Sequence, residues 1–215
     1  MKELIFSLST SEYIKIISGH GHDIDKISLC CDMIKLYFVY DDYQICIGQE
    51  SVSEIFEPFI ICLKKAIEGK LQLHESISQN LGLMQNRYYQ DKTGFFKVPA
   101  SNNSSSYWVG LDYQICTTFG DANPLVSAWM YNDNYNNIIF EFTKDYPWHF
   151  LALDDKPSES EFIPFDEFIK DFKPLVRRII PHCIALEWLN QALKFHRSFY
   201  ESEESYQKAY KRLQW

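Results

Sequence analysis

Residues 33 to 48 are rich in β-branched and aromatic side chains and are interrupted by two acids, Asp41 and Asp42. Branched and aromatic residues favour extended strands, whereas Asp tolerates the backbone angles of a tight turn. The segment therefore predicts a β-hairpin whose turn lies at the two aspartates.

A helix is predicted directly after this hairpin. Ser51 and Glu54 have the spacing of a capping box, in which a hydroxyl and a carboxylate satisfy amides of the first turn. Pro58 is tolerated near the start of a helix, and Gly69 is a plausible stop. The apolar residues between them fall at helical spacing: Ile55, Phe59, Cys62, Leu63, Ala66 and Ile67.

A second β region follows a polar loop, Ser-Asn-Asn-Ser-Ser-Ser, at residues 101–106. Residues 107–119, 125–131 and 138–143 are each strand-like in composition. The last two segments are joined by the Asn- and Asp-rich residues 132–137, which favour turns, so a second hairpin is predicted. We predict one domain over residues 1–215, with the loop at 100–106 as the place of any internal boundary.

The C-terminal third changes to a helical period. Pro174 is expected to bend a first helix, Pro181 separates it from a second helix over 182–200, and a polar terminal helix follows. In that last helix, acids between 201 and 204 precede bases between 208 and 212, an order that complements the helix dipole. The first helix is predicted from six apolar positions: Phe165, Phe168, Ile169, Phe172, Val176 and Ile179.

These elements predict an α+β fold in which antiparallel sheets, built from hairpins, pack against amphipathic helices, with a helical C-terminal third. Residues 37–46 and 107–116 are identical at seven of ten positions. One hypothesis is a duplicated hairpin. The alternative is convergence of two similarly packed hairpins in a Tyr-rich chain, because the flanking segments do not match.

Charge narrows the classes of partner. The 215-residue chain has 46% hydrophobic residues, which suits a well-packed core, and a formal net charge of -8 with a pI near 5.2. A negative field opposes binding to nucleic-acid phosphates. The same field would speed encounter with a basic protein, although acidity can also serve solubility alone.

Compartment follows from cysteine usage and from the apolar runs. The six cysteines lie mostly in apolar segments and include no C-x-x-C pair, which favours buried free thiols over disulfides. The first residues lack a signal-peptide core, and no apolar run is long enough for a membrane span. We expect a cytoplasmic protein that binds no membrane.

The strongest metal-like pattern lies at residues 19–25, where His20 and His22 stand close to two carboxylates. Metallo-β-lactamase-like enzymes use His-x-His-x-Asp-His, and Ile24 and Asp25 break that pattern. A polar turn is the preferred interpretation. Motifs for nucleophiles, phosphate loops, dinucleotides and metalloproteases are also lacking, so we expect no metal, no cofactor and no enzyme activity.

Binding candidates are acidic. A Pro- and Ser-containing segment between the strands and the C-terminal helices carries four acids opposed only by Lys156. This segment could bind a basic partner, or it could be a solvated connector that ends in the cap Ser158-x-x-Glu161. The candidate partner-binding residues are Asp154, Asp155, Glu159, Glu161, Asp41 and Asp42.

Residues 128–148 contain Trp129-x-Tyr131-Asn132, then Ile138-x-x-Glu141-x-Thr143, then an aromatic pair, and an amphipathic Phe-rich helix follows. This order resembles immunity proteins of bacterial contact-dependent growth inhibition and polymorphic toxin systems. The resemblance covers roughly residues 105–190. Lys144 stands where the family often has Pro.

The resemblance implies a cytoplasmic protein that binds and blocks the toxic C-terminal domain of a delivered toxin, commonly a nuclease. Acidic side chains would stand in for nucleic-acid phosphates at the toxin's active site. Two other classes stay open: an enzyme with dispersed catalytic residues, and a self-associating scaffold protein. Oligomeric state is not indicated.

Overall fold

The computed structural model describes residues 2–29, 32–77, 80–91, 97–99, 106–118, 124–148 and 162–213. Most of the loop predicted as a possible boundary, residues 100–105, lies outside these ranges. So do four of the predicted binding residues: Asp154, Asp155, Glu159 and Glu161.

The first sheet is an antiparallel meander that contains the predicted hairpin. Asp41 and Asp42 form its turn, Tyr40 pairs with Tyr43, and Asp41 adopts a φ of 48°, which Asp tolerates better than most residues. The prediction is confirmed. Along each strand the apolar side chains alternate towards the core. The four strands are β1 (Glu3–Ser7), β2 (Glu12–Ser18), β3 (Met33–Tyr40) and β4 (Tyr43–Ser51).

The predicted first helix, α1 (Val52–Ile67), is also confirmed. The Ser51 hydroxyl accepts from the Glu54 amide and donates to the Glu54 carboxylate, which anchors the first turn. Gly69, just beyond the last turn, has a φ of 68°, a conformation that glycine adopts without strain.

The second sheet is antiparallel and contains the second predicted hairpin. Its turn is stabilised by Asp133, whose carboxylate accepts from the amides of Tyr135 and Asn137. This prediction is confirmed. In spatial order the strands are β10 (Val176–Ile180), β9 (Ile138–Lys144), β8 (Val126–Asn132) and β7 (Gln114–Thr117).

The helical C-terminal third is only partly correct. Helix α3 (Phe165–Ile169) is short, and residues 176–180 form strand β10 instead of continuing a helix. Pro174 cannot donate an intrahelical hydrogen bond, and pairing with β9 satisfies the backbone beyond it. The later helices are confirmed as α4 (His182–Arg197) and α5 (Glu203–Tyr210).

The hypothesis of a duplicated hairpin is wrong. Residues 37–46 form the β3–β4 hairpin, whereas residues 107–116 pass from strand β6 (Ser106–Trp108) through a 3-10 turn into β7. Strand β6 pairs with β5 (Lys97–Pro99), and β7 pairs with β8. The shared residues therefore serve different topologies, as convergence would give.

One hydrophobic core joins the two sheets and helices α1 and α4. The ring of Phe38 on β3 lies 5.4 Å from that of Phe142 on β9, so the two sheets touch directly. Phe6 on β1 packs on Phe59 of α1 at 5.2 Å and on Trp188 of α4 at 6.1 Å. Aromatic pairs of this kind add to the burial term that stabilises the fold.

Helix α2 (Leu81–Asp91) lies against β9 of the second sheet, so strand β8 is buried along its whole length. None of the helices in the described ranges combines the length and the apolar character that a bilayer crossing requires.

Candidate functional site

A buried polar layer separates helix α2 from the second sheet. Ser127, Glu141 and Thr143 come from β8 and β9 and are fully buried, and they face Gln85 and Asn86 on α2. Side chains of a strand alternate between its two faces, so the polar residues of β8 and β9 can share the face opposite the hydrophobic core. Polar groups at this depth must be hydrogen-bonded to one another.

Glu141 is one of two acids in this layer. Its carboxylate accepts from the Tyr131 hydroxyl at 3.0 Å and from Asn80 Nδ2 at 3.1 Å, and Arg177 Nε lies 3.8 Å away. Burial raises the pKa of Glu141, although these partners oppose the change. This acid therefore has a cation beside it.

Asp145, the second acid, follows directly after β9. Its carboxylate accepts from Ser127 Oγ at 2.7 Å, Gln85 Nε2 at 3.2 Å and Thr117 Oγ1 at 3.3 Å. Burial raises its pKa to about 6 against these hydrogen bonds. In the described part of the chain, no Lys or Arg nitrogen lies within 4 Å of the Asp145 carboxylate.

Asp145 also lines a groove of about 930 Å³. The walls come from the ends of β8 and β9, from α3, and from the residues that precede β10. They are largely apolar and aromatic: Leu125, Trp148, Ile163, Phe168 and Phe172. A groove with an apolar lining and a few convergent polar groups is the usual form of a binding site.

The charged lining residues are three acids and two bases. Glu167 and Asp171 are exposed at the rim with Lys144 and Lys173, whereas Asp145 is half-buried. The Trp148 and Phe162 rings, which lie in sequence on either side of the four predicted acids Asp154, Asp155, Glu159 and Glu161, are 5.6 Å apart. The residues on both sides of these acids thus meet beside the groove.

The predicted binding residues Asp41 and Asp42 are both exposed at the tip of the β3–β4 hairpin. Tyr43 beside them is 67% exposed, and its ring stacks on that of Tyr40 at 5.7 Å. An exposed aromatic next to acids is a common form of interface anchor. We name Asp41, Asp42 and Tyr43 the acidic tip.

Arg178 of β10 lies next to the acidic tip, but its charge is already paired. Its Nε donates to the two oxygens of Glu12 at 2.9 and 3.0 Å. Hydrogen bonding to Glu12 and, to a smaller extent, the charge of Asp41 raise the pKa of Arg178. The guanidinium hydrogen bonds go to Glu12. Among the described residues, no Lys or Arg nitrogen lies within 4 Å of either tip carboxylate.

Strand β10 connects the acidic tip with the groove. Leu175, next to the first residue of β10, lines the groove, and Arg178 is three residues further along the chain. A strand advances about 3.3 Å per residue, so Leu175 and Arg178 lie about 10 Å apart along the same strand. A single partner can contact both.

The His20 and His22 rings are 6.5 Å apart. Among the residues that the structure describes, no three His, Cys, Asp or Glu side chains converge as a metal site requires.

Sequence reasoning missed Asp145. A signal was present, because Glu141, Thr143 and Asp145 occupy alternate positions of a largely apolar segment. Such alternation predicts a second, polar face.

Comparison of the chain with protein families, with curated proteins and with solved structures gave no match.

Proposed function

We propose that this chain is an immunity protein of a contact-dependent growth inhibition or polymorphic toxin system. In the cytoplasm it binds the toxic C-terminal domain of a cognate toxin, commonly a nuclease, and blocks its active site. It carries out no chemistry itself. Support comes from the resemblance of residues 128–148 to such proteins, from the net charge of -8, and from the acidic tip.

The acidic tip is the observation that carries the proposal. Two carboxylates and a largely exposed tyrosine project from the tip of the β3–β4 hairpin, while Arg178 is paired with Glu12. A basic nuclease presents Lys and Arg where it holds phosphates. Carboxylates set in a preformed arrangement can occupy those positions with little ordering cost.

Rescue of growth tests this function. The chain is coexpressed with the toxin C-terminal domain encoded next to its gene, and survival and affinity are measured. Asp41→Lys with Asp42→Lys should abolish protection. The matched control, Glu201→Lys with Glu204→Lys, makes the same change of charge on exposed acids next to or within α5 and should keep it.

The mechanism adds a requirement on ionic strength. Binding between an acidic face and a basic nuclease should weaken as salt rises, because charges near the surface are screened. Neutralising Asp154, Asp155, Glu159 and Glu161, which lie outside the described residues, should weaken it as well. An affinity for the toxin that does not change with salt concentration and is equal in all these variants would contradict inhibition by charge mimicry.

A second function, that of an enzyme with dispersed residues, is favoured by one observation. Asp145 combines a pKa raised to about 6 with a position in the wall of a groove, as general acids and bases often do. A panel of ester, phosphoester and glycoside substrates would test it. Turnover that disappears in Asp145→Asn would favour the enzyme.

A further inference from the structure

We propose that the groove is a pocket for a lysine or arginine side chain of the protein partner, with the Asp145 carboxylate as its counter-ion. The inference rests on the proposed function, since it assumes a basic protein partner. The pocket adds a second contact with the partner, beside the start of β10. The chemistry of this contact differs from that of the acidic tip.

The first step is the missing counter-charge. Asp145 accepts from Ser127, Thr117 and Gln85, which are all neutral. Glu141 in the same polar layer has Arg177 beside it, whereas no described Lys or Arg nitrogen is within 4 Å of Asp145. Carboxylates that are largely removed from water are normally paired with a cation. Since none of the described residues supplies that cation, a partner protein can supply it.

The two Asp145 oxygens differ in how many hydrogen bonds they accept. Among the described residues, Gln85 is the one donor to Asp145 Oδ1, whereas Oδ2 accepts from both Ser127 and Thr117. Each carboxylate oxygen can accept about two hydrogen bonds. One acceptor position on Oδ1 therefore remains for an ammonium or guanidinium that enters the groove.

The third step is the fit of the walls. Trp148, Phe168 and Phe172 line the same groove as Asp145 and provide apolar and aromatic surface, which suits the aliphatic stem of Lys or Arg. Aromatic faces also attract the cationic head. The volume of about 930 Å³ accommodates that side chain together with residues on either side of it.

Charged side chains also line the rim of the groove. The groove is lined by three carboxylates and two ammonium groups, and Lys144 and Lys173 are both exposed. Exposed lysines are mobile and well hydrated, and neither lysine pairs with Asp145. The pocket therefore favours a single cation at its base.

Binding of a cation requires ionised Asp145, which makes the affinity depend on pH. Protons compete with the cation below pH about 6, the pKa of Asp145 in the free protein. Linkage then predicts that the affinity falls about tenfold for each pH unit below that value and is level above it.

The experiment uses the full chain and two small probes, Nα-acetyl-arginine amide and its neutral isostere Nα-acetyl-citrulline amide. Binding is followed by NMR chemical-shift titration at pH 7.5 and pH 5. We expect saturable arginine binding at pH 7.5, at least tenfold tighter than citrulline binding. The preference should shrink about tenfold at pH 5 and disappear in Asp145→Asn.

Asp41→Asn with Asp42→Asn is the matched control, because it alters the acidic tip and leaves the groove intact. It should keep the preference for arginine. Equal binding of arginine and citrulline by the wild type at pH 7.5 would overturn the pocket, and this comparison needs no folded variant. If arginine and citrulline bind equally but the tip variant loses toxin protection, the pocket is wrong and the proposed function stands. If arginine binds selectively but the wild type gives no protection, the proposed function is wrong and the pocket stands.

Discussion

Replacing Asp145 by Asn should make the protein more stable at neutral pH and change how its stability depends on pH. Burial raises the pKa of Asp145, and hydrogen bonds from neutral groups oppose this increase. Asn has nearly the same shape and cannot ionise. The substitution therefore removes the charge and leaves the packing of the polar layer almost unchanged.

The magnitude follows from the raised pKa. A carboxyl that ionises near pH 3.8 in the unfolded chain and near pH 6 in the folded chain stabilises the fold only while it is protonated. That stability is complete below pH 3.8 and is lost as pH rises through about 6. At 1.36 kcal/mol per pH unit, the loss is about 3 kcal/mol. Imperfect hydrogen bonds of Asn offset about 1–2 kcal/mol of this gain.

Urea unfolding of both proteins between pH 3.5 and pH 8 measures the effect. The free energy of unfolding of the variant minus that of the wild type should rise by about 3 kcal/mol across this range. Asp133→Asn is the control, because a hydrogen bond from Asn137 lowers the Asp133 pKa and its pH dependence should have the opposite sign. A difference for Asp145→Asn that stays constant with pH would refute the reasoning.

Three further substitutions test other parts of the structure. Tyr131→Phe removes a 3.0 Å hydrogen bond to the buried Glu141 and should destabilise the fold by about 1.5–3 kcal/mol in urea unfolding. In the described residues, His196 is fully buried, its Nδ1 has no hydrogen-bond partner, and burial lowers its pKa. Protonation of His196 therefore opposes folding, so the melting temperature of His196→Phe minus that of the wild type should rise as pH falls below about 6.5. Gly82→Ala would place a Cβ 2.0 Å from Thr143 Oγ1, so α2 must move, at a cost of about 1–3 kcal/mol that circular dichroism melts can measure.

The sequence was sufficient where local chemistry decides the structure. The turn at Asp41 and Asp42, the cap at Ser51 and the stop at Gly69 are each specified by neighbouring residues, and all are present. Strand β10 was mistaken for helix because Val176 and Ile179 continue the apolar spacing of the preceding helix. Its pairing with β9, more than thirty residues earlier, leaves no local signal.

The groove could not be predicted for the same reason. Asp145 is defined by hydrogen bonds from Gln85 on α2, Thr117 on β7 and Ser127 on β8, which are separated from it by 18 to 60 residues. The alternation of polar residues on β9 indicates a polar face. It cannot indicate which acid on that face lacks a cation, because that depends on which charges the fold brings near it.

The acidic tip and the groove differ in what they contribute to binding. The tip is exposed, so its carboxylates act through long-range attraction, which raises the rate of association and is reduced by salt. Asp145 is largely removed from water, so a cation that reaches it is screened less and mainly slows dissociation. If one partner contacts both, tip variants should lower the association rate, while Asp145→Asn should raise the dissociation rate of the same complex. Two sites that changed the same rate constant would instead belong to a single uniform charged surface.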